Sequence, residues 1–132
     1  MKPEKTPEKT IEMTPEMVAV LASLKMGNLR RHIILCAGPK CCSSADGEQV
    51  WQHLKARLAD AKVGGAGLFR TKAVCLRICR EGPVALVYPE GVWYRLVSKE
   101  VCDRIIDEHL LNGMPVTEYM ITANPLAPAK DS

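Results

Sequence analysis

Residues 84–97 read VALVYPEGVWYRLV, two apolar runs on either side of Pro89-Glu90-Gly91. The pattern predicts a β-hairpin. Val84 to Tyr88 carries no charged residue and predicts a strongly apolar strand. Proline presets the first turn dihedral and Gly91 supplies the left-handed position, which suits a three-residue loop. In the return strand, Val92 to Val97, Trp93 and Arg95 alternate with Val92, Tyr94 and Leu96. Ser98 then predicts a helix cap, and Val101, Cys102, Ile105, Ile106 and Leu110 fall on one helical face, with an end near Gly113. Cys102 matches that apolar stripe and reads as a small buried hydrophobe.

Working back toward the amino end, Leu68 to Ala73 predicts a strand that leads into Cys75 and Cys79, after a flexible Gly64-Gly65-Ala66-Gly67 connection. Before it, a helix is expected from about Asp46 to Leu58. Val50, Leu54 and Leu58 share one face, Trp51 lies beside them, and Asp46 with Gln49 forms a capping-box pair. His32 to Leu35 predicts a short buried strand running into Cys36. Further out, Thr14-Pro15-Glu16 is a helix start, and Met17, Val20, Leu21 and Leu24 form a stripe that predicts a packing face, on the core or on a second subunit. Residues 1–13 read as a disordered tail of alternating Lys and Glu, 14–28 as an N-terminal helix, 29–122 as one domain and 123–132 as a loose tail.

Composition limits the function. The chain has 132 residues, 47% hydrophobic and 25% charged, which fits one globular domain. Aromatics at 5% make no stacking platform, and a net charge of +3 without a basic stripe argues against a nucleic-acid partner. No apolar run is long enough to span a membrane. The start MKPEKTPEKT has no apolar signal core, so a cytoplasmic protein is expected. There, six cysteines point to metal or redox chemistry rather than to structural disulfides. His32, His53 and His109 are scattered and read as surface or boundary residues. No catalytic Ser–His–Asp set, phosphate-binding loop or dinucleotide fingerprint is present, so the domain is not expected to be an enzyme.

The predicted order is strand, helix, strand, hairpin, helix. That is a thioredoxin-like α/β arrangement, a mixed sheet flanked by helices, here with an N-terminal extension. It gathers Cys36, Cys41, Cys42, Cys75 and Cys79 at strand ends and loops on one edge. Thiolates converging there suit zinc or an iron–sulfur cluster. Zinc knuckles and thioredoxin redox motifs use C-x2-C, which is absent. The plant-type run C-x4-C-x2-C fails because Ser44 stands at its third position. A 2Fe–2S site built from two separated pairs remains, with a structural zinc site as the rival.

The stretch CLRICREGPVALVYPEGVWY (75–94) resembles the hallmark of thioredoxin-like 2Fe–2S ferredoxins, and VSKEVCDRIIDEHLLNGMPV (97–116) resembles their closing pattern. HIILC (32–36), Cys41-Cys42 and EQVWQHL (48–54) are similar to their opening strand, cysteine loop and helix. The domain is also similar to the ferredoxin-like subunit of respiratory complex I. The resemblance implies one 2Fe–2S cluster, one-electron transfer between redox partner proteins, and a homodimer. It implies Cys36, Cys75 and Cys79 as ligands, with a fourth from the first loop. Counting forward from Cys36 gives Cys41; counting back from Val50-Trp51 gives Cys42, which is favoured. Leu76, Arg77 and Ile78 depart from the small residues many members carry there. Arg77 and Arg80, with Lys40 and Lys72 nearby, would raise the potential and attract an acidic partner. A redox-sensing accessory component is a further alternative, which the N-terminal extension leaves open. Thioredoxin-like folds often place a cis-proline near Pro83, though a trans bond is the expectation for Gly82–Pro83.

Overall fold

A computed structural model describes residues 11–38, 44–60, 63, 66–78 and 80–126. Residues 1–10 of the expected first tail (1–13), residues 127–132 of the expected last one (123–132), and the glycines at 64 and 65 lie outside those residues. The elements run α1 (Pro15–Ser23), β1 (Arg31–Cys36), α2 (Ser44–Ala59), β2 (Leu68–Ala73), β3 (Val84–Tyr88), β4 (Val92–Tyr94), α3 (Lys99–Arg104) and β5 (Met120–Ala123). α3 passes directly into a π-helical segment, Ile105–Leu110.

The strands form one five-stranded sheet in the order β2-β1-β3-β4-β5. β1 pairs parallel with β2, Cys36 opposite Ala73, and antiparallel with β3, Cys36 opposite Val84. β4 pairs antiparallel with β3 and β5. β3 is thus central, which is why VALVY needs no polar face: its first four residues are all buried. This is the mixed, helix-flanked sheet that the sequence predicts.

Strand alternation sorts the side chains. Ile33, Leu35, Ala85, Val87, Val92 and Tyr94 meet Val50 and Leu54 of α2 and Val101, Cys102, Ile105, Ile106 and Leu110 of the closing helix in one core. Burying such side chains contributes roughly 1.5–3 kcal/mol each. Cys102 is a core residue, 1% exposed, and burial pushes its thiol up to about 12. The other parity carries a smaller cluster of Cys36 and Val84 packed by Leu76, Ile78 and Trp93. A polar clip ties α2 to the closing helix: Arg57 donates to Asp103 at 2.6 Å and to Asp107 at 2.8 Å, and His53 Nε2 lies 2.7 Å from Asp103.

Several expectations change. β4 ends at Tyr94 rather than Val97, because its ladder is diverted. Arg95 N–H donates to the Tyr119 carbonyl, Leu96 N–H to Glu81 and Val97 N–H to Pro83, with Leu96 at a φ of 53°. α2 begins at Ser44, so Asp46 sits inside its first turn instead of capping it, where its charge still suits the dipole. β5 has no counterpart in the sequence reading. MITA is too short and too weakly alternating to announce a strand, and it exists by pairing with β4. His109 is not a surface residue: it is fully buried.

α1 starts where the sequence predicts and ends at Ser23, short of the expected 28, with Thr14 Oγ1 accepting from Met17 N–H at 3.1 Å. Its stripe is not packed on the core. No residue of the helix is buried, and Met17, Val18, Val20 and Leu24 are exposed.

Candidate metal centre

Parallel pairing of β1 and β2 carries two of the predicted cysteines to one end of the sheet. Cys36 is the last residue of β1, and Cys75 stands two residues beyond its register partner Ala73. The same end receives the start of β3 and the exit of β4, because both run antiparallel to their neighbours in turn. The two strand exits are in close contact. Ala37 N–H donates to the Ala73 carbonyl at 3.0 Å, and Cys36 Sγ lies 3.7 Å from the Val74 carbonyl. Gly38 is needed there, since a Cβ at this position would collide with the Val74 carbonyl.

The two thiols have different surroundings. Cys36 is 1% exposed, under Val84, Leu76, Ile78 and Trp93, whereas Cys75 is exposed. Cys75 Sγ accepts the Arg77 N–H at 3.3 Å. Arg77 itself has a φ of 76°, a left-handed conformation that favours glycine. A small residue suits position 77 for this reason. Glu81 is likewise at 55°, and its carbonyl accepts from Leu96 N–H at 2.8 Å. Gly82–Pro83 is cis, against the expected trans bond, and Tyr88–Pro89 is cis as well.

Of the predicted neighbours, Lys72 is tied to Glu48 at 3.2 Å and lies 5.8 Å from the Trp51 ring centre. Lys40, Cys41, Cys42 and Cys79 lie outside the described residues. Among the described residues no group of three metal-ligating side chains is assembled. The donor set that is described nevertheless fits a thiolate-held cluster: one buried sulfur with apolar side chains packed against it, one exposed sulfur at the same end of the sheet, and a backbone N–H directed at the exposed sulfur.

A β–α–β unit followed by a hairpin and a closing helix, with cysteines at the exits of both parallel strands, defines a thioredoxin-like domain built around a sulfur-ligated centre. No protein-family model matches the sequence. Comparison with known proteins is specific all the same. The chain is 32% identical over 96 residues to a provisionally named 2Fe–2S ferredoxin of Priestia megaterium, covering 73% of each chain. It is 28% identical to a 2Fe–2S ferredoxin of Clostridium pasteurianum, matching 100% of that protein with 73% of its own length. The solved thioredoxin-like 2Fe–2S ferredoxin of Aquifex aeolicus superimposes with a TM-score of 0.65 at 28% identity, covering 74% of this chain and 96% of the other. The chain belongs to the family of thioredoxin-like 2Fe–2S ferredoxins.

Proposed function

We propose that this protein is a one-electron carrier whose 2Fe–2S cluster is held at the thiol end by Cys36, Cys75, Cys79 and either Cys42 or Cys41. The observation that supports it most is the convergence of Cys36 and Cys75 at the exits of two parallel strands, with the Arg77 N–H on the Cys75 sulfur. When bound, such a cluster takes up and gives back one electron. The chain supplies the rest. Leu76, Ile78, Val84 and Trp93 shield the Cys36 side from water. The Arg77 amide stabilises negative charge on the Cys75 sulfur, and the exposure of Cys75 keeps a short path to a partner. The domain transforms no substrate itself and exchanges electrons with redox partner proteins. A cytoplasmic location suits thiols that must stay reduced until iron is bound. Among the described residues no helix is long and apolar enough to cross a membrane.

Anaerobic purification tests this reading. The wild-type protein is expected to be red-brown, with iron and sulfide in equal amounts. Cys36→Ala or Cys75→Ala should lose the colour. Of Cys41→Ala and Cys42→Ala, one should lose it and the other retain it. A colourless wild-type protein holding stoichiometric zinc would overturn the proposal.

A further inference from the structure

We infer that the thiol end is a docking face for a redox partner that presents carboxylates there. This rests on the reading of that end as the cluster site, and names the chemistry of the surface that meets it. The two segments that carry the candidate ligands, 36–45 and 61–80, contain no Asp or Glu, yet hold Lys40, Lys62, Arg70, Lys72, Arg77 and Arg80. Two of these are occupied within the fold: Lys72 pairs with Glu48, and Arg70 lies 5.5 Å from the Trp51 ring centre. Arg77 and Arg80 are different. Both are exposed, and neither forms an ion pair among the described residues. The nearest carboxylate along the chain, Glu81, is taken by Arg95 at 2.5 Å.

The cations sit beside apolar surface. Val74, next to Cys75, is 78% exposed, and Arg80 lines one cleft with Ile78 and Ile121. A small apolar centre with a charged rim is what a short-lived electron-transfer contact needs. The charge sign follows from the cluster. A 2Fe–2S unit in four thiolates carries about −2 when oxidised and about −3 when reduced, which by itself repels an acidic surface. Two exposed guanidiniums in the ligand-bearing segment offset about two of those charges and put positive charge at the surface, where it steers a carboxylate-bearing face toward the Cys75 side.

The test uses the cluster-loaded full chain and a dye-labelled oligoglutamate peptide as the probe, followed by fluorescence anisotropy at low salt and at about 0.3 M salt. Wild type should bind at low salt and release the peptide at high salt. The Arg77→Asn, Arg80→Gln pair should weaken binding roughly fivefold or more, since it removes two exposed charges that attract the glutamates. Asparagine at 77 keeps a residue that tolerates the left-handed backbone. The control pair Lys25→Gln, Lys55→Gln removes the same charge from the cleft beside Leu68, at the opposite end of β2, and should leave binding within twofold. Equal weakening by both pairs, or none by the first, overturns the docking face while an intact cluster spectrum leaves the carrier reading standing. Absence of any cluster in wild type overturns both.

Discussion

The two ends of the sheet are built to opposite specifications. At the end away from the cysteines, every polar group of a buried chain of contacts has a partner. Arg31 holds Glu90 at 2.9 Å, Glu90 lies 2.9 Å from His109 Nε2, and Tyr94 Oη lies 2.8 Å from His109 Nδ1 while accepting the Val116 N–H at 3.0 Å. Arg31 also donates to the Leu110 carbonyl at 3.3 Å. The clasp joins β1, the hairpin loop, β4 and the closing helix. At the cysteine end, by contrast, Arg77, Glu81 and Leu96 hold left-handed backbone conformations that cost of order 1 kcal/mol or more each. There Val74 is exposed and, among the described residues, Arg77 and Arg80 form no ion pair. One end is satisfied and secures the fold. The other keeps groups unsatisfied that a cofactor and a partner would satisfy.

The clasp gives the largest expected effect. His109→Leu keeps an apolar body in a fully buried site but leaves the Tyr94 hydroxyl and the Glu90 carboxylate short of a partner. It should cost roughly 2–3 kcal/mol in urea unfolding. A loss below about 0.5 kcal/mol would mean that the clasp does not secure the fold.

A pH titration of stability sharpens the same contrast with a smaller effect. Burial, opposed by the Glu90 contact, leaves the His109 pKa below its usual 6.5. Hydrogen bonds from Arg31, then from His109, hold Glu90 down at about 2 instead of 4.5. Both groups bind protons more readily in the unfolded chain. The stability they contribute is therefore full above about pH 7 and falls as pH drops. His109 acts first, below its unfolded value of 6.5, and Glu90 acts from 4.5 down toward 2. Because the Glu90 side chain is 33% exposed, solvent screening reduces its share to about 1–2 kcal/mol. Thermal melts of wild type and Glu90→Gln should converge as pH falls from 5 toward 3. Parallel curves would break the argument.

The smallest effect lies at the cysteine end. Replacing Arg77 by Asn and Arg80 by Gln removes positive charge that favours the more negative, reduced cluster. The reduction potential should fall by roughly 20–60 mV, with stability changed by less than about 0.5 kcal/mol. An unchanged potential would show that the arginines are solvated away from the cluster and do not tune it.

Much of this was legible in the chain. VALVY, with no charged residue, announced a strongly apolar strand. Gly91 announced the turn, at a φ of 69° where a Cβ would strike the Asn124 carbonyl. Thr14 and Ser98 announced helix caps, and each side chain accepts an N–H in the first turn of its helix. The spacing of Cys36, Cys75 and Cys79 against those elements pointed to an iron–sulfur protein. These features rest on local chemistry, periodicity and turn dihedrals, which sequence encodes directly.

Other features depend on distant partners. MITA becomes β5 because β4 offers it an unpaired edge, and β4 stops early because Tyr119, Glu81 and Pro83 take its backbone donors. His109 reads as polar and is buried, because Tyr94, 15 residues away, and Glu90, 19 residues away, satisfy both ring nitrogens. The stripe of α1 reads as a packing face, yet no residue of the helix is buried. Local chemistry along the chain sets the strands other than β5, the helix caps, the turns, and which thiols are candidates. Tertiary contacts set which strand edges pair, which polar groups are buried in company, and that Cys36 is covered while Cys75 is open. Pairing, burial and exposure are properties of what folds against a residue, and its neighbours in sequence do not fix them.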